Sequence, residues 1–394
     1  MFCSNCGKEV PEGASFCTSC GAKLGRAGFG IGSQAVSDLG GMALTAAGAF
    51  RKNLTGYEHG EKVHIQYREL FSSVFKKHSR EEEDLLFICG TSQTTPNIRD
   101  IVAEWPRPWL FSRVFLFLLA ASLILALLLL EMNGIVTAPA LFLILSAVGP
   151  LSVLVFFFET NIPRDISIYR VAKVFILGGA LSILFSFAIS EIVHQDFTLI
   201  GAIGIGFTEE LGKALAALLY LNGIQKQKGR LYIVNGLLVG SAVGAGFAVF
   251  ESAGYAFVTY LETYMGALYN NSSWFSDYLA PDTISADASF SVAIIRALLS
   301  PGGHVIWCAI ISAGLCIASK GAKIEPKHLV SPQFLGIFII PTVLHAMWDW
   351  ETLFDNLGYL SYVLLTVIAW LVGLVLLHRG IREINQAVED VSSA

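Results

Sequence analysis

The dominant pattern of the chain is a series of apolar stretches after residue 110, separated by short polar loops. We count eight of them, each near the ~20 residues that a helix needs to cross the ~30 Å hydrocarbon core of a bilayer. The pattern predicts an all-α polytopic membrane protein with about eight transmembrane helices. The predicted spans are residues 112–130, 135–158, 168–190, 199–221, 232–259, 291–318, 333–350 and 357–378.

The basic residues of the loops alternate along the chain. Lys and Arg follow the second, fourth, sixth and eighth spans, whereas the segments after the first, third, fifth and seventh spans carry neither. Cytosolic loops of membrane proteins are enriched in Lys and Arg. We therefore expect a multi-pass protein of the cell membrane with both termini in the cytosol.

Four cysteines stand near the N-terminus, in the order Cys3-x2-Cys6-x10-Cys17-x2-Cys20. Each Cys-x-x-Cys pair presents two thiolates from one turn, and two such pairs complete a tetrahedral zinc shell. The spacing predicts a zinc ribbon over residues 1–24 with a closed, structural zinc site, and a redox pair is the alternative. Because the first residues form no apolar run, we expect no signal peptide.

The segments around the spans complete the domain organisation. Residues 25–57, rich in Gly, Ala and Ser, are typical of a flexible linker, and residues 58–109 have the periodicity of a cytosolic helical region. A membrane domain follows over residues 110–380, with a cytosolic tail at 381–394. The zinc ribbon is the part that we expect to regulate the protein or to recruit a cytosolic partner.

Composition and charge agree with this division and exclude other classes. Hydrophobic residues make up 54% of the chain and charged residues 14%, against about 25% charged in a soluble domain. The net charge is −5 and no basic stripe is present, so we expect no nucleic-acid partner. The remaining three of the seven cysteines are scattered, which is unlike a disulfide framework.

Ionisable side chains inside spans four to seven are the strongest functional signal. Each formal charge costs about 2.5–3.5 kcal/mol at a helix centre on insertion scales, so such groups usually serve a function. With a rise of ~1.5 Å per helical residue, these groups lie between the midplane and the outer third of the bilayer, where four helices can form one polar pocket. The group consists of Glu209, Glu210, Lys213, Glu251, Arg296, His304, His345 and Asp349.

Helical spacing refines this pocket. Residues four apart share a helix face. The pairs with this spacing are Glu209 with Lys213, Phe247 with Glu251, and His345 with Asp349. Glu209 and Glu210 lie about 100° apart around their helix. We expect one of them to face the reacting centre and the other to hold Lys213 or a neighbouring helix.

These motifs, in this order on successive helices, resemble those of the PrsW family of intramembrane proteases, a relative of the CPBP group that includes the CAAX prenyl proteases. The motifs are Glu209-Glu210-x-x-Lys213, Phe247-x-x-x-Glu251, His304 after Pro-Gly-Gly, and His345-x-x-x-Asp349. The resemblance covers residues ~110–378 and implies a prokaryotic protease domain that hydrolyses peptide bonds of membrane-spanning proteins, such as anti-sigma factors. It departs from the CAAX proteases at Glu251, where they have His.

Two mechanisms remain open for such a hydrolase. In the metal-free one, Glu209 or Glu210 is the base, His304 shares the water or protonates the leaving amine, and His345, oriented by Asp349, stabilises the oxyanion. In the other, a catalytic metal is bound by a His₂Glu set of Glu251 with the two histidines. No His-Glu-x-x-His motif is present, and we favour the metal-free mechanism.

Two other classes of protein carry intramembrane charges. A proton-coupled transporter uses chains of Glu and His as proton relays, but the sequence shows no inverted repeat of the kind that such transporters often have. A catalytically silent membrane adaptor would use the zinc ribbon to recruit a partner and would not need the complete set of motifs.

Overall fold

The computed structural model describes residues 45–57, 65–91, 93–130, 135–269 and 281–393. The predicted zinc ribbon at 1–24 lies outside these residues, as does most of the predicted linker. The chain divides into two compact units, Met1–Lys52 and Asn53–Ala394. In the first unit the described residues, 45–52, are helical.

The second unit is built from helices, and its described residues contain no β-strand. Before the first apolar helix come two short helices, α1 (Tyr67–Leu70) and α2 (Arg80–Phe87). The apolar helices are α3 (Leu110–Leu130), α4 (Ala138–Glu159), α5 (Ile168–Ser190), α6 (Leu199–Lys228), α7 (Ile233–Tyr269), α8 (Pro281–Leu299), α9 (His304–Ser319), α11 (Pro332–Asp349) and α13 (Tyr359–Ser393). Two short helices, α10 (Pro326–Leu329) and α12 (Glu351–Leu357), connect the last three.

Among the described residues, six segments are long and apolar enough to cross a membrane, which confirms the polytopic membrane fold. They are Leu110–Leu129, Ala138–Glu159, Ile168–Ser190, Ile233–Gly266, Asp287–Ser319 and Tyr359–Ser393. The other two predicted spans form helices, α6 and α11, but α6 carries three charged groups in its apolar half and the polar residues of α11, among them His345 and Asp349, lower its hydropathy. The count of eight therefore stays a prediction.

Local sequence signals explain where the site-bearing helices begin and end. The Thr198 side chain accepts from the amide of Gly201 at the start of α6, and Gly229, with φ of 80°, ends it. Ser331 caps α11 in the same way, ahead of a proline in the first turn. Two helices run further than the apolar pattern predicts, since α7 continues to Tyr269 and α13 to Ser393.

Helix α7 is the central helix and packs against α4, α5, α8 and α9. Glycines on one of its faces bring α9 into close contact. A Cβ at Gly236 would lie 2.6 Å from the carbonyl oxygen of Ser312, and a Cβ at Gly244 would collide with the carbonyl oxygen of His304. This close approach fixes the start of α9 against α7.

Candidate active site

The ionisable side chains of the predicted pocket meet in one site. Helix α6 supplies Glu209, Glu210 and Lys213, while α7 supplies Glu251. His304 is the first residue of α9, and α11 supplies His345 and Asp349 near its C-terminal end. A cavity of 380 Å³ opens beside them, lined by Glu251, Arg296, His304, His345 and Asp349 among others.

Lys213 is the internal cation of the site and is fully buried. Its Nζ donates to Oε1 of Glu210 at 2.8 Å and to Oε2 of Glu209 at 3.2 Å. It also lies 4.0 Å from the centroid of the Phe247 ring, a cation–π contact. Both glutamates therefore hold Lys213, whereas the sequence predicts that only one of them does.

His304 occupies a break between two helices. Helix α8 ends at Leu299, a 3₁₀ turn follows at Ser300–Gly302, and α9 starts at His304, directly after the Pro-Gly-Gly sequence. Nε2 of His304 lies 2.9 Å from Oε2 of Glu251, and Nδ1 lies 2.8 Å from Nζ of Lys213. Because an ammonium only donates, Nδ1 accepts, and the ring proton belongs on Nε2 facing Glu251.

His345 is oriented in a similar way by a different carboxylate. Its Nδ1 lies 2.8 Å from Oε1 of Glu210. Its Nε2 lies 3.2 Å from Oδ2 of Asp349 and 3.6 Å from Oε2 of Glu209. Oε2 of Glu210 is buried and has no hydrogen-bond partner among the described residues. Glu210 therefore acts on the site through Lys213 and His345.

Glu251 links the site to α8. Its Oε2 lies 2.5 Å from Nη2 of Arg296 as well as 2.9 Å from His304. Nε of Arg296 donates to Oγ of Ser252 at 3.0 Å, and the guanidinium lies 4.4 Å from the centroid of the Tyr255 ring. Arg296 therefore neutralises the carboxylate that orients His304.

The donors that converge in this site suit a divalent metal ion. One ligand atom each of Glu209, His304 and His345 lies within 4.8 Å of the other two. Two imidazole nitrogens with one carboxylate are a common zinc ligand set. Each imidazole also has a carboxylate on its other nitrogen, Glu251 or Glu210, which is how proteins orient metal-binding histidines. The structure gathers Glu209 with the two histidines, where the sequence hypothesis of a metal site had Glu251.

The charge balance agrees with this fit. Four carboxylates face the site, against the permanent cations of Lys213 and Arg296. With neutral imidazoles the site carries an excess of two negative charges in a setting where unpaired charge is costly. One divalent cation, or protonation of both imidazoles, would balance that excess.

Aromatic residues around the cavity were missed by sequence reasoning. The ring of Trp307 lies 4.6 Å from that of His345, and the ring of Trp348 lies 4.4 Å from that of Tyr362. The cavity wall continues through α12 and the start of α13 with Phe354 and Tyr359. Aromatic residues are common in membrane helices, so composition alone does not separate these from lipid-facing ones.

The fold and the site define a polytopic membrane protein with a buried cluster of carboxylates and histidines suited to hydrolysis. A model of the PrsW family, described as an intramembrane metalloprotease family, matches residues 167–376, which is more than half of the chain. The chain therefore belongs to the PrsW family of intramembrane metalloproteases.

A zinc-ribbon model matches residues 2–24, in agreement with the predicted module. No curated protein and no solved structure matches the chain. The family match favours the hydrolase prediction over the proton-coupled transporter and the silent adaptor.

Proposed function

We propose that this intramembrane protease hydrolyses peptide bonds of membrane-spanning protein substrates with the help of a divalent metal ion of the zinc class. The observation that carries the proposal is the convergence of Glu209, His304 and His345 within 4.8 Å. It replaces the metal-free mechanism that we favoured from the sequence. When bound in such a site, the ion lowers the pKa of water and polarises the scissile carbonyl.

The other residues of the site support the reaction in distinct ways. Glu251 and Glu210 hold the two imidazoles by their outer nitrogens, and Lys213 neutralises part of the carboxylate charge. Asp349 lies on the cavity wall with 23% of its side chain exposed, so it is placed to accept a proton from water in the cavity. Arg296, 30% exposed on the same wall, keeps Glu251 in place.

One contact favours the metal-free alternative. Nζ of Lys213 lies 2.8 Å from Nδ1 of His304, the atom that a metal would need. In that mechanism Lys213 stays on His304, Glu209 takes the proton from water, and His345 stabilises the oxyanion. A chelator that strips divalent ions separates the two mechanisms, because the metal-free one predicts unchanged cleavage.

The setting of the reaction follows from the loop charges and the family. The cavity lining includes Gln195, Phe354 and Tyr359, which lie in or beside the connecting segments 191–198 and 350–358, and these segments carry no Lys or Arg. With both termini in the cytosol, this side of the protein faces outward across the cell membrane of a prokaryote. A membrane-spanning anti-sigma factor is the kind of substrate that this site would cut, and the zinc ribbon would meet a cytosolic partner.

The proposal is tested by sequencing new protein N-termini in membranes of cells that express the chain. We expect Glu209→Gln to lower the yield of new N-termini that depend on this protein by about 100-fold or more. This loss exceeds the one usually seen when a residue that only orients a metal ligand is replaced. Glu191→Gln, at an exposed position outside the site, is the control and should leave the yield unchanged. Equal yields from the Glu209→Gln variant and the unmodified chain would contradict the proposed role.

A further inference from the structure

A second cavity, of 400 Å³, opens on the outside of the helix bundle between α5, α6 and α7. We call it the side groove, and its apolar wall consists of Ile183, Phe187, Phe250, Tyr255 and Val258. Three of these remain exposed: Phe187 at 67%, Tyr255 at 51% and Val258 at 47%. In a membrane-spanning chain an exposed apolar wall of this kind faces lipid or another apolar segment.

The side groove runs into the candidate active site. Its inner end is lined by Glu209 and Glu251, a candidate metal ligand and the residue that orients His304. Gln195, Glu251 and Tyr255 line both the side groove and the central cavity. A transmembrane helix lying in the side groove would therefore reach the reacting groups without crossing the protein core.

Gly254 gives the side groove an opening that the protein's own packing does not need. It lies within α7, where glycine is about 1 kcal/mol less favourable than alanine. A Cβ at this position would meet no atom within 4 Å among the described residues. By contrast, Gly244 on the same helix is held against the backbone of α9. A glycine that packs against nothing of its own chain leaves room for the backbone of another segment.

Small residues stand across the side groove on α5. The hydroxyl of Ser186 donates to the carbonyl of Ser182 at 2.9 Å, and that of Ser190 to the carbonyl of Phe187 at 2.8 Å. Both hydroxyls already donate a hydrogen bond within their own helix. The two serines are therefore small side chains that need no further hydrogen-bond acceptor. Gly254 and these serines together shape a slot suited to a helix backbone.

We propose that the side groove docks the apolar transmembrane segment of a single-pass protein substrate, and that Gly254 admits its backbone beside Glu209 and Glu251. The inference rests on the proposed function, since it names the entry route to the same site. A lipid acyl chain would gain little from a backbone-sized opening and would meet carboxylates at the inner end. A peptide brings amide groups, and where its helix unwinds beside the cavity these groups can pair with such polar residues.

The test compares full-length variants by the new N-termini that they generate in single-pass membrane proteins. Gly254→Leu fills the side groove from a position with free space, and Gly266→Leu is the control on the same helix, where a Cβ also meets no described atom within 4 Å. We expect Gly254→Leu to lower the yield by about tenfold or more, equivalent to about 1.4 kcal/mol, and Gly266→Leu to leave it unchanged. Undiminished cleavage by Gly254→Leu would overturn the inference.

Two further measurements distinguish loss of substrate docking from loss of catalysis and from failure of the proposed function. A soluble peptide that spans an identified cleavage site, without its transmembrane segment, should be cut equally by Gly254→Leu and the unmodified chain. Loss of both reactions would show that the substitution harms the chemistry, which would overturn a docking role. If no termini depend on Glu209, the proposed function itself fails and this inference with it.

A second pair of variants guards against misfolding of Gly254→Leu. Val258→Trp fills the side groove from an exposed position, and Leu261→Trp, exposed on the same helix but outside the lining of the groove, is its control. The inference requires that Val258→Trp lowers the yield and that Leu261→Trp does not.

Discussion

At the scale of single residues, the two histidines of the site differ in what their ring nitrogens meet. His304 meets Glu251 at Nε2 and the ammonium of Lys213 at Nδ1, which places its ring proton on Nε2. His345 meets a carboxylate at each nitrogen, Glu210 at Nδ1 and Asp349 at Nε2. Contacts of this kind orient the imidazole rings. The residue types and helix faces could be predicted from the sequence, because helical spacing is regular. Which carboxylate meets which imidazole could not, since those contacts join different helices.

Substitution of Glu251 tests this arrangement. Glu251→Gln keeps the size of the side chain but removes the charge that faces both His304 and Arg296. We expect the affinity of the membrane site for zinc to fall by about 10–100-fold, as for other outer-shell carboxylates. Competition with a chelator measures this, in a full-length protein whose Cys3 and Cys6 are both replaced by Ser to remove the ribbon site.

The control for Glu251→Gln is Glu262→Gln, an exposed position on the same helix. It should leave the zinc affinity unchanged. If Glu251→Gln binds zinc as tightly as the control, Glu251 does not orient His304 in the way that its geometry indicates.

At the scale of the helices, the position of the site depends on the contact between α7 and α9. The Pro-Gly-Gly turn ends α8, so that α9 begins at His304, and the Trp370 indole holds the turn by donating to the carbonyl of Pro301 at 2.9 Å. The glycines of α7 have no side chains, so the backbone of α9 packs directly against the surface of α7 at these positions.

Gly244 is the position where this contact can be tested. A Cβ there would collide with the carbonyl oxygen of His304 and lie 2.9 Å from Cα of Val305, both backbone atoms. We expect Gly244→Ala to displace α9, to destabilise the protein by about 1–3 kcal/mol, and to lower cleavage together with zinc binding. Thermal unfolding in detergent measures the stability, with Gly223→Ala as the control because its Cβ would meet no described atom within 4 Å. Equal melting temperatures for the two variants would contradict this packing account.

The helices themselves were predictable to different degrees. Six of the predicted spans coincide with described helices that are long and apolar enough to cross a membrane, because long apolar runs have few other structures available to them. Helices α6 and α11 are less apolar because ionisable residues lie in them, namely Glu209, Glu210, Lys213, His345 and Asp349. The side groove was not predictable, since the sequence does not state which helices are neighbours and Gly254 looks like any glycine of α7.

At the scale of the whole molecule, the proposed function gives the protein two sites that differ in metal chemistry. Four cysteines in the residues that match the zinc-ribbon family would fill a tetrahedral zinc shell, which would make that site structural. The membrane site brings together two imidazoles and a carboxylate, a set that would leave a position open for water or substrate. The sequence predicted the first site from spacing alone. It could not select the second, because those ligands are 41 to 136 positions apart and meet only in the fold.

The central claim is that Glu209, His304 and His345 bind a divalent ion that cleavage requires. Elemental analysis of divalent ions per chain tests it most directly, on the full-length protein and on a full-length form with Cys3→Ser and Cys6→Ser. We expect about two ions in the first and about one in the second, with the last ion lost when Glu209→Gln is added. A ribbon variant that holds no divalent ion and still cleaves its substrates would rule out a metal requirement and restore the metal-free mechanism.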